Sequence, residues 1–194
     1  VFRGEDGNDT VYGGFGNDLA IGGEGLDLLF GGAGNDTLIG NAGDDTLQGN
    51  EGRDTVFGGE GNDVINDVDE AGPDGNDFLN GGAGADTILA LGGDDTLYGE
   101  NGLDLLRGGA GNDQIYAGAD ADTAHGDEGN DTIYAAGGND TLNGDAGADL
   151  LYGGDGADLI VGGDDADVLA DVLHGDSGND TLIGGAGADS LYKA

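Results

Sequence analysis

The chain has few of the residues from which most binding and catalytic sites are built. Its 194 residues include no cysteine, two histidines and four lysines and arginines, against 41 aspartates and glutamates. Zinc and copper sites need thiolates or imidazoles, so a site for a soft metal has almost nothing to build on. The lack of cysteine excludes a disulfide framework. A formal net charge of −37 would repel the phosphates of a nucleic acid.

Catalytic arrangements are also missing. Neither His125 nor His174 has an evident partner, and Ser177 and Ser190 fall in repeated positions, so no nucleophile and base form a recognisable pattern. We therefore predict that this segment is not an enzyme. The sequence also shows no signal peptide and no apolar run long enough for a membrane span.

Glycine and aspartate, in contrast, recur with a period of nine residues. The frame gives twenty nonapeptides between residues 4 and 192, and we predict insertions at 67–71 and 171–174. Aspartate holds the sixth position of every unit. These residues are Asp9, Asp18, Asp27, Asp36, Asp45, Asp54, Asp63, Asp77, Asp86, Asp95, Asp104, Asp113, Asp122, Asp131, Asp140, Asp149, Asp158, Asp167, Asp180 and Asp189.

Each unit is expected to contain a loop of six residues and a strand of three. Glycine supplies the positive φ angles that a tight loop needs, while threonine and aliphatic residues at the last three positions favour a strand. The eighth position is aliphatic throughout, for example Leu38 and Leu47. One unit cannot bury that residue alone, so neighbouring units must stack as a solenoid. We predict an all-β chain with two nonapeptides per coil and about ten coils.

Units such as Gly31–Ile39 (GGAGNDTLI) and Gly108–Tyr116 (GGAGNDQIY) follow the pattern GGxGxDxUx. This pattern resembles the repeats-in-toxin (RTX) family of calcium-binding nonapeptide repeats. The resemblance extends over nearly the whole chain. It implies a right-handed parallel β-roll in which calcium ions lie between the loops of successive coils.

Calcium also suits the residues themselves. It is a hard cation that takes six to eight oxygen ligands, and these loops offer carboxylates and backbone carbonyls. Units two apart should lie above one another, which arranges the aspartates in two columns of ten. By the resemblance, up to 18 ions would fit between them. The alternative is that the aspartates only cap turns, as Asp often does.

Some loops depart from the pattern. Asp120 and Asp165 replace the glycine of the fourth position, and Ala90, Ala117 and Ala135 replace that of the first. We expect these loops to bind calcium weakly, if at all. Asp120 and Asp165 fit either a slightly altered left-handed turn or an added functional carboxylate.

The two insertions are expected to bulge outward without disturbing the columns. Around Pro73, the first insertion gathers several acids: Asp67, Asp69, Glu70 and Asp74. A solvated surface loop and an extra calcium site both fit this composition.

An aromatic stripe is predicted on one outer face. Residues at the ninth position point away from the core, and along the even-numbered units they are Ile21, Ile39, Phe57, Asn80, Tyr98, Tyr116, Tyr134, Tyr152, Ala170 and Tyr192. The rings could stabilise neighbouring strands. They could equally form a contact surface for a flanking domain, a second copy or a sugar.

The composition also predicts when the chain folds. Charge repulsion and 47 glycines oppose a folded state unless a bound ion stabilises it. Extracellular calcium modules bind in the range of about 10⁻⁴ to 10⁻³ M, so we expect folding outside the cell, at the extracellular side or the cell surface. The repeats run to both ends without a cap, which indicates a piece of a longer polypeptide. Two functions remain open: a rigid scaffold segment of an adhesin or surface-layer type, and a noncatalytic secretion and folding module of a type I-secreted toxin, protease, lipase or polysaccharide-modifying enzyme.

Overall fold

The computed structural model describes residues 1–67, 75–164 and 169–193. In these ranges every regular element is a β-strand, which confirms the all-β prediction.

The strands form two sheets. The first contains β1 (Phe2–Asp6), β3 (Leu19–Glu24), β5 (Thr37–Ala42), β7 (Thr55–Glu60), β9 (Phe78–Ala83), β11 (Thr96–Asn101), β13 (Gln114–Ala119), β15 (Thr132–Gly137), β17 (Leu150–Tyr152), β18 (Asp155–Gly156), β20 (Val172–Gly178) and β22 (Ser190–Lys193). The second contains β2 (Thr10–Phe15), β4 (Leu28–Ala33), β6 (Thr46–Glu51), β8 (Val64–Asn66), β10 (Thr87–Gly92), β12 (Leu105–Ala110), β14 (Thr123–Glu128), β16 (Thr141–Ala146), β19 (Leu159–Asp164) and β21 (Thr181–Ala186).

All pairing within the sheets is parallel, and most neighbouring strands are related by a step of 18 residues. Leu29 of β4 pairs with Leu47 of β6, and Leu97 of β11 pairs with Ile115 of β13. One coil therefore contains two nonapeptides, as predicted, and about ten coils stack as a β-solenoid.

The strands are longer than the sequence suggested. Most run for six residues because the first three positions of a unit continue the strand that ends the unit before. Pairing skips the first position and resumes at the second, as between Gly32 and Asn50. The tight loop is thus confined to about the fourth to sixth positions, where the chain passes from one sheet to the other.

The core lies between the two sheets and is built from the eighth position of each unit. Leu38, Leu47, Leu97 and Ile133 are among the side chains that are completely buried there. Because each strand contributes one such residue, a coil buries little apolar area by itself. The core is stable only as a continuous stack.

The predicted position of the second insertion is wrong. The segment at 171–174 belongs to a coil, because Leu173 of β20 is completely buried and pairs with Leu151 and Leu191. Leu169, the core residue of the predicted frame, is 41% exposed. The sequence contains Asp-Val-Leu twice in succession, at 167–169 and 171–173. The second copy leads directly into Gly175 and the next loop, so the extra residues precede Asp171.

The first insertion begins one residue later than predicted. The backbone N–H of Asp67 donates to the carbonyl of Leu89 at 2.9 Å, just as Gly153 donates to His174. Asp67 therefore holds the first position of a coil. Pro73 and the acids Asp69, Glu70 and Asp74 lie outside the described residues.

Candidate metal centre

Two columns of aspartates follow the edges where the chain turns between the sheets. In each column the backbone N–H of one aspartate donates to Oδ1 of the aspartate in the next coil, as from Asp104 to Asp122 at 2.9 Å and from Asp95 to Asp113 at 2.8 Å. Nine such bonds join ten aspartates in each column. One column contains Asp9, Asp27, Asp45, Asp63, Asp86, Asp104, Asp122, Asp140, Asp158 and Asp180. The other contains Asp18, Asp36, Asp54, Asp77, Asp95, Asp113, Asp131, Asp149, Asp171 and Asp189.

Nineteen of the twenty predicted site residues therefore lie in the columns. Asp167 is outside the described residues, and the step assigned to it is held by Asp171, which is completely buried. Asp171 replaces Asp167 in the column because the extra residues of the second insertion precede Asp171.

The second carboxylate oxygen of these aspartates is the unusual feature of the columns. It is buried and has no hydrogen-bond partner among the described residues in Asp9, Asp27, Asp36, Asp45, Asp63, Asp86, Asp95, Asp104, Asp113, Asp122, Asp131, Asp140, Asp158 and Asp180. The oxygen packs beside the first glycine of its own loop: a Cβ on Gly31 would overlap Oδ2 of Asp36. A buried carboxylate oxygen without a donor is strongly unfavourable, so the columns require a positive partner.

Burial and mutual repulsion act together on these groups. Desolvation is the main cause that raises the pKa of Asp95 to about 8, and the nearby Asp113 and Asp77 raise it further. For the same main reason the pKa of Asp63, Asp122 and Asp131 is raised to about 7. A carboxylate with a raised pKa is one whose charge is poorly stabilised. A cation between neighbouring carboxylates would supply that stabilisation.

The loops around the columns offer only oxygen ligands. The carbonyl oxygens of Glu5 and Gly7 face the next loop so closely that a Cβ on Gly23 or Gly25 would collide with them. Both glycines have positive φ angles, of 133° and 138°. The ion pairs of Arg107 with Asp127 and of His125 with Asp145 lie outside the columns. A hard cation such as calcium fits this donor set.

A third set of contacts, which the sequence reasoning missed, supports the loops. Asn or Asp at the fifth position accepts a hydrogen bond from the backbone N–H of the residue 18 positions later: Asp94 accepts from Asn112, and Asn112 accepts from Asn130. The recurrent Asn-Asp of units such as Gly108–Tyr116 carries this signal. The side chain holds each loop at a fixed height over the one before and so positions the aspartate that follows it.

The departures from the repeat are accommodated in the described coils. Asp120 has a φ of 81°, which confirms the altered left-handed turn at this position. Ala90, Ala117 and Ala135 are completely buried. Each places a methyl group where other loops have glycine against the aspartate, so weak binding at these loops stays a prediction. Asp165 lies outside the described residues.

The aromatic stripe is a continuous ladder of rings with more aromatic members than predicted. It consists of Phe57, Phe78, Tyr98, Tyr116, Tyr134, Tyr152, His174 and Tyr192. The rings from Tyr98 to Tyr192 are stacked, whereas Phe78 lies tilted against both Phe57 and Tyr98. His174 fills the step that the sequence assigned to Ala170, with centroids 4.7 Å from Tyr152 and 4.6 Å from Tyr192. Phe78, at a seventh position, bridges the gap at Asn80. The ring faces of the inner members are covered by their neighbours, which favours the strand-stabilising interpretation over a platform for sugars.

Comparison with known proteins agrees with this geometry. A family model for the RTX calcium-binding nonapeptide repeat matches residues 3–38, 30–65, 72–106, 98–133, 134–169 and 170–192. A search of curated proteins finds no match. Among the described residues, no helix is long and apolar enough to cross a membrane. The matches span most of the chain and both aspartate columns, so this protein belongs to the RTX family of calcium-binding nonapeptide repeats.

Proposed function

We propose that this chain is a secreted, calcium-assembled rod that folds when it meets extracellular calcium and serves as a rigid segment of a larger surface or secreted protein. The ligands are the aspartates of the two columns, with Asp171 at the step first assigned to Asp167. Up to 18 ions would fit, one for each gap between successive aspartates.

The observation that carries this proposal is the stack of buried carboxylates. In both columns Oδ1 accepts from the preceding coil, and fourteen column aspartates have a buried Oδ2 without a donor among the described residues. Without cations, each added coil buries two more carboxylates, and the apolar contact of one core residue per strand does not offset their cost. With calcium, the same carboxylates join consecutive coils, and each bound ion stabilises the folded state by mass action.

Two roles are compatible with such a rod. The scaffold role is favoured by the length of the solenoid, about ten coils, and by the aromatic ladder, whose eight rings run along one sheet. The second role is a noncatalytic secretion and folding module beside an enzyme or toxin. It is favoured by the weak calcium affinity that is typical of extracellular modules. Sites of that affinity would be empty inside the cell, which would keep the chain unfolded before export.

Contact with a second copy or a flanking domain remains a further prediction. The contact residues would be Ile21, Ile39, Phe57, Tyr98, Tyr116, Tyr134 and Tyr152. Because the inner ring faces are already stacked, only ring edges and hydroxyl groups remain for a partner. Sedimentation in calcium would reveal self-association, and a strictly monomeric chain would argue against contact between copies.

Circular dichroism in calcium and in chelator tests the folding proposal. We expect a β-sheet spectrum at millimolar calcium and a disordered spectrum in excess chelator at pH 7.5. Magnesium at the same concentration is the control, since its strict octahedral geometry and reluctant dehydration suit these loops poorly. A β-sheet spectrum that persists in excess chelator would refute calcium-dependent folding.

A further inference from the structure

Asp67 is an acid at the first position of its unit, where every other described unit has glycine or alanine. That position faces the column. A Cβ on Gly58 would overlap Oδ2 of Asp63, and other loops show the same proximity. The side chain of Asp67 therefore enters the space next to the column aspartate of its own loop, Asp77.

Three buried carboxylates meet there. Asp54, Asp67 and Asp77 are 1%, 0% and 3% exposed, and each offers an oxygen that lies within 4.8 Å of the others. A single calcium ion with bonds of about 2.3–2.6 Å places its ligand atoms up to about 5 Å apart. The three oxygens are thus spaced for one ion.

The hydrogen bonds leave one oxygen of Asp67 without a donor. Its Oδ1 accepts from the backbone N–H of Asn50 at 2.7 Å, while Oδ1 of Asp77 accepts from the N–H of Asp54 at 2.6 Å. Oδ2 of Asp67 is buried and has no donor among the described residues. The neighbouring carboxylate of Asp77 cannot donate while it is ionised. This oxygen therefore lacks a partner inside the group.

The charge at this point is higher than in the regular gaps. Three buried carboxylates share this space, whereas a regular gap lies between two column aspartates. Neither Asp67 nor Asp77 forms an ion pair with a basic side chain in the part of the chain that the structure describes. The group needs either a cation or a proton.

We propose that Asp54, Asp67 and Asp77 hold one cation more tightly than the two-carboxylate gaps elsewhere in the columns. The inference rests on the proposed function, because it assumes that the columns hold calcium. Affinity at oxygen sites rises with the number of charged ligands. Asp67 would then mark the strongest ion site among the described coils.

Terbium provides a direct test because a trivalent ion prefers the site of highest negative charge. The protein is first saturated with calcium, which keeps the chain folded throughout. It is then titrated with terbium, whose luminescence is followed under direct excitation. We expect the first equivalent to bind at least about tenfold more tightly than the later ones. Asp67→Asn, which keeps the acceptor for Asn50 and removes the charge, should abolish that difference. The control is Glu51→Gln, which removes an exposed charge from the preceding loop of the same column. This variant should leave the difference between the first and later terbium equivalents unchanged.

The outcomes separate this inference from the proposed function. If Asp67→Asn binds the first terbium ion as tightly as the unaltered chain, the three-carboxylate site is refuted. A titration in which the first terbium equivalent binds no more tightly than the later ones refutes the site as well. If the chain binds no calcium at all, the proposed function fails. An Asp67→Asn variant that does not fold in calcium is replaced by Asp67→Gly, which restores the residue of the regular loops and carries the same expectation.

Discussion

Lowering the pH should fold the metal-free chain, because protons can neutralise the column carboxylates when calcium is absent. Asp63, Asp95, Asp122 and Asp131 have raised pKa values in the folded, metal-free structure, mainly because they are buried. In the unfolded chain each would titrate near the ordinary value of 3.8. Below that value the aspartates are protonated in both states, and burial then opposes folding little.

The sign and size follow from linkage. The folded state binds more protons than the unfolded state between the two pKa values, so stability falls as the pH rises through that window. For Asp122, the window runs from 3.8 to about 7. One pKa unit corresponds to about 1.4 kcal/mol, so Asp122 alone opposes folding by roughly 4 kcal/mol at pH 8. A few such groups exceed the net stability of about 5–15 kcal/mol that is typical of a domain.

The assay is circular dichroism in excess chelator between pH 8 and pH 4, with sedimentation to confirm that the chain stays monomeric. We expect disorder at pH 8 and growing β-structure as the pH falls through 7 and 6. High salt at pH 8 is the control, since it screens distant charges but supplies no proton. A metal-free chain that is equally folded at pH 8 and pH 5, or disordered throughout, would refute this reasoning.

Two further predictions concern single side chains. Asp95→Asn removes a column carboxylate and should raise the calcium concentration needed for folding severalfold. The control is Asp94→Asn, at a neighbouring position that is often asparagine, which should leave that concentration unchanged. Equal midpoints for the two variants in a calcium titration would contradict a ligand role for Asp95. Leu97→Ala opens a cavity in a core one residue deep and should lower the free energy of unfolding by about 2–5 kcal/mol in saturating calcium. Denaturant titration would measure this, with Leu103→Ala, at a side chain that is 64% exposed, changing it by less than about 0.5 kcal/mol.

Much of the fold could be predicted because each unit repeats one physical solution. The period of nine identified nineteen of the twenty column aspartates, and the aliphatic eighth position identified a core that includes Leu38 and Ile133. Both are local patterns that depend on one unit and its neighbour. The two-unit coil followed from the need to bury one residue per strand on opposite sides.

The errors arose where the local pattern was ambiguous or where a contact depended on the neighbouring coil. Asp-Val-Leu occurs twice between 167 and 173, and only the stacking of Leu173 and His174 on adjacent coils distinguishes the second copy from the first. Asp67 was assigned to an insertion because its residue type broke the glycine pattern, although its backbone continues the coil. The fifth-position hydrogen bonds link residues 18 apart, so they became visible only once the coils were stacked.

The most direct test of the central claim is a crystal structure of the chain grown in calcium, with the ions located by anomalous scattering. The account predicts peaks between successive aspartates along both columns, each bound by column carboxylates and loop carbonyls, with the strongest occupancy near Asp67. A folded chain whose columns contain no ions, or contain only water, would contradict it.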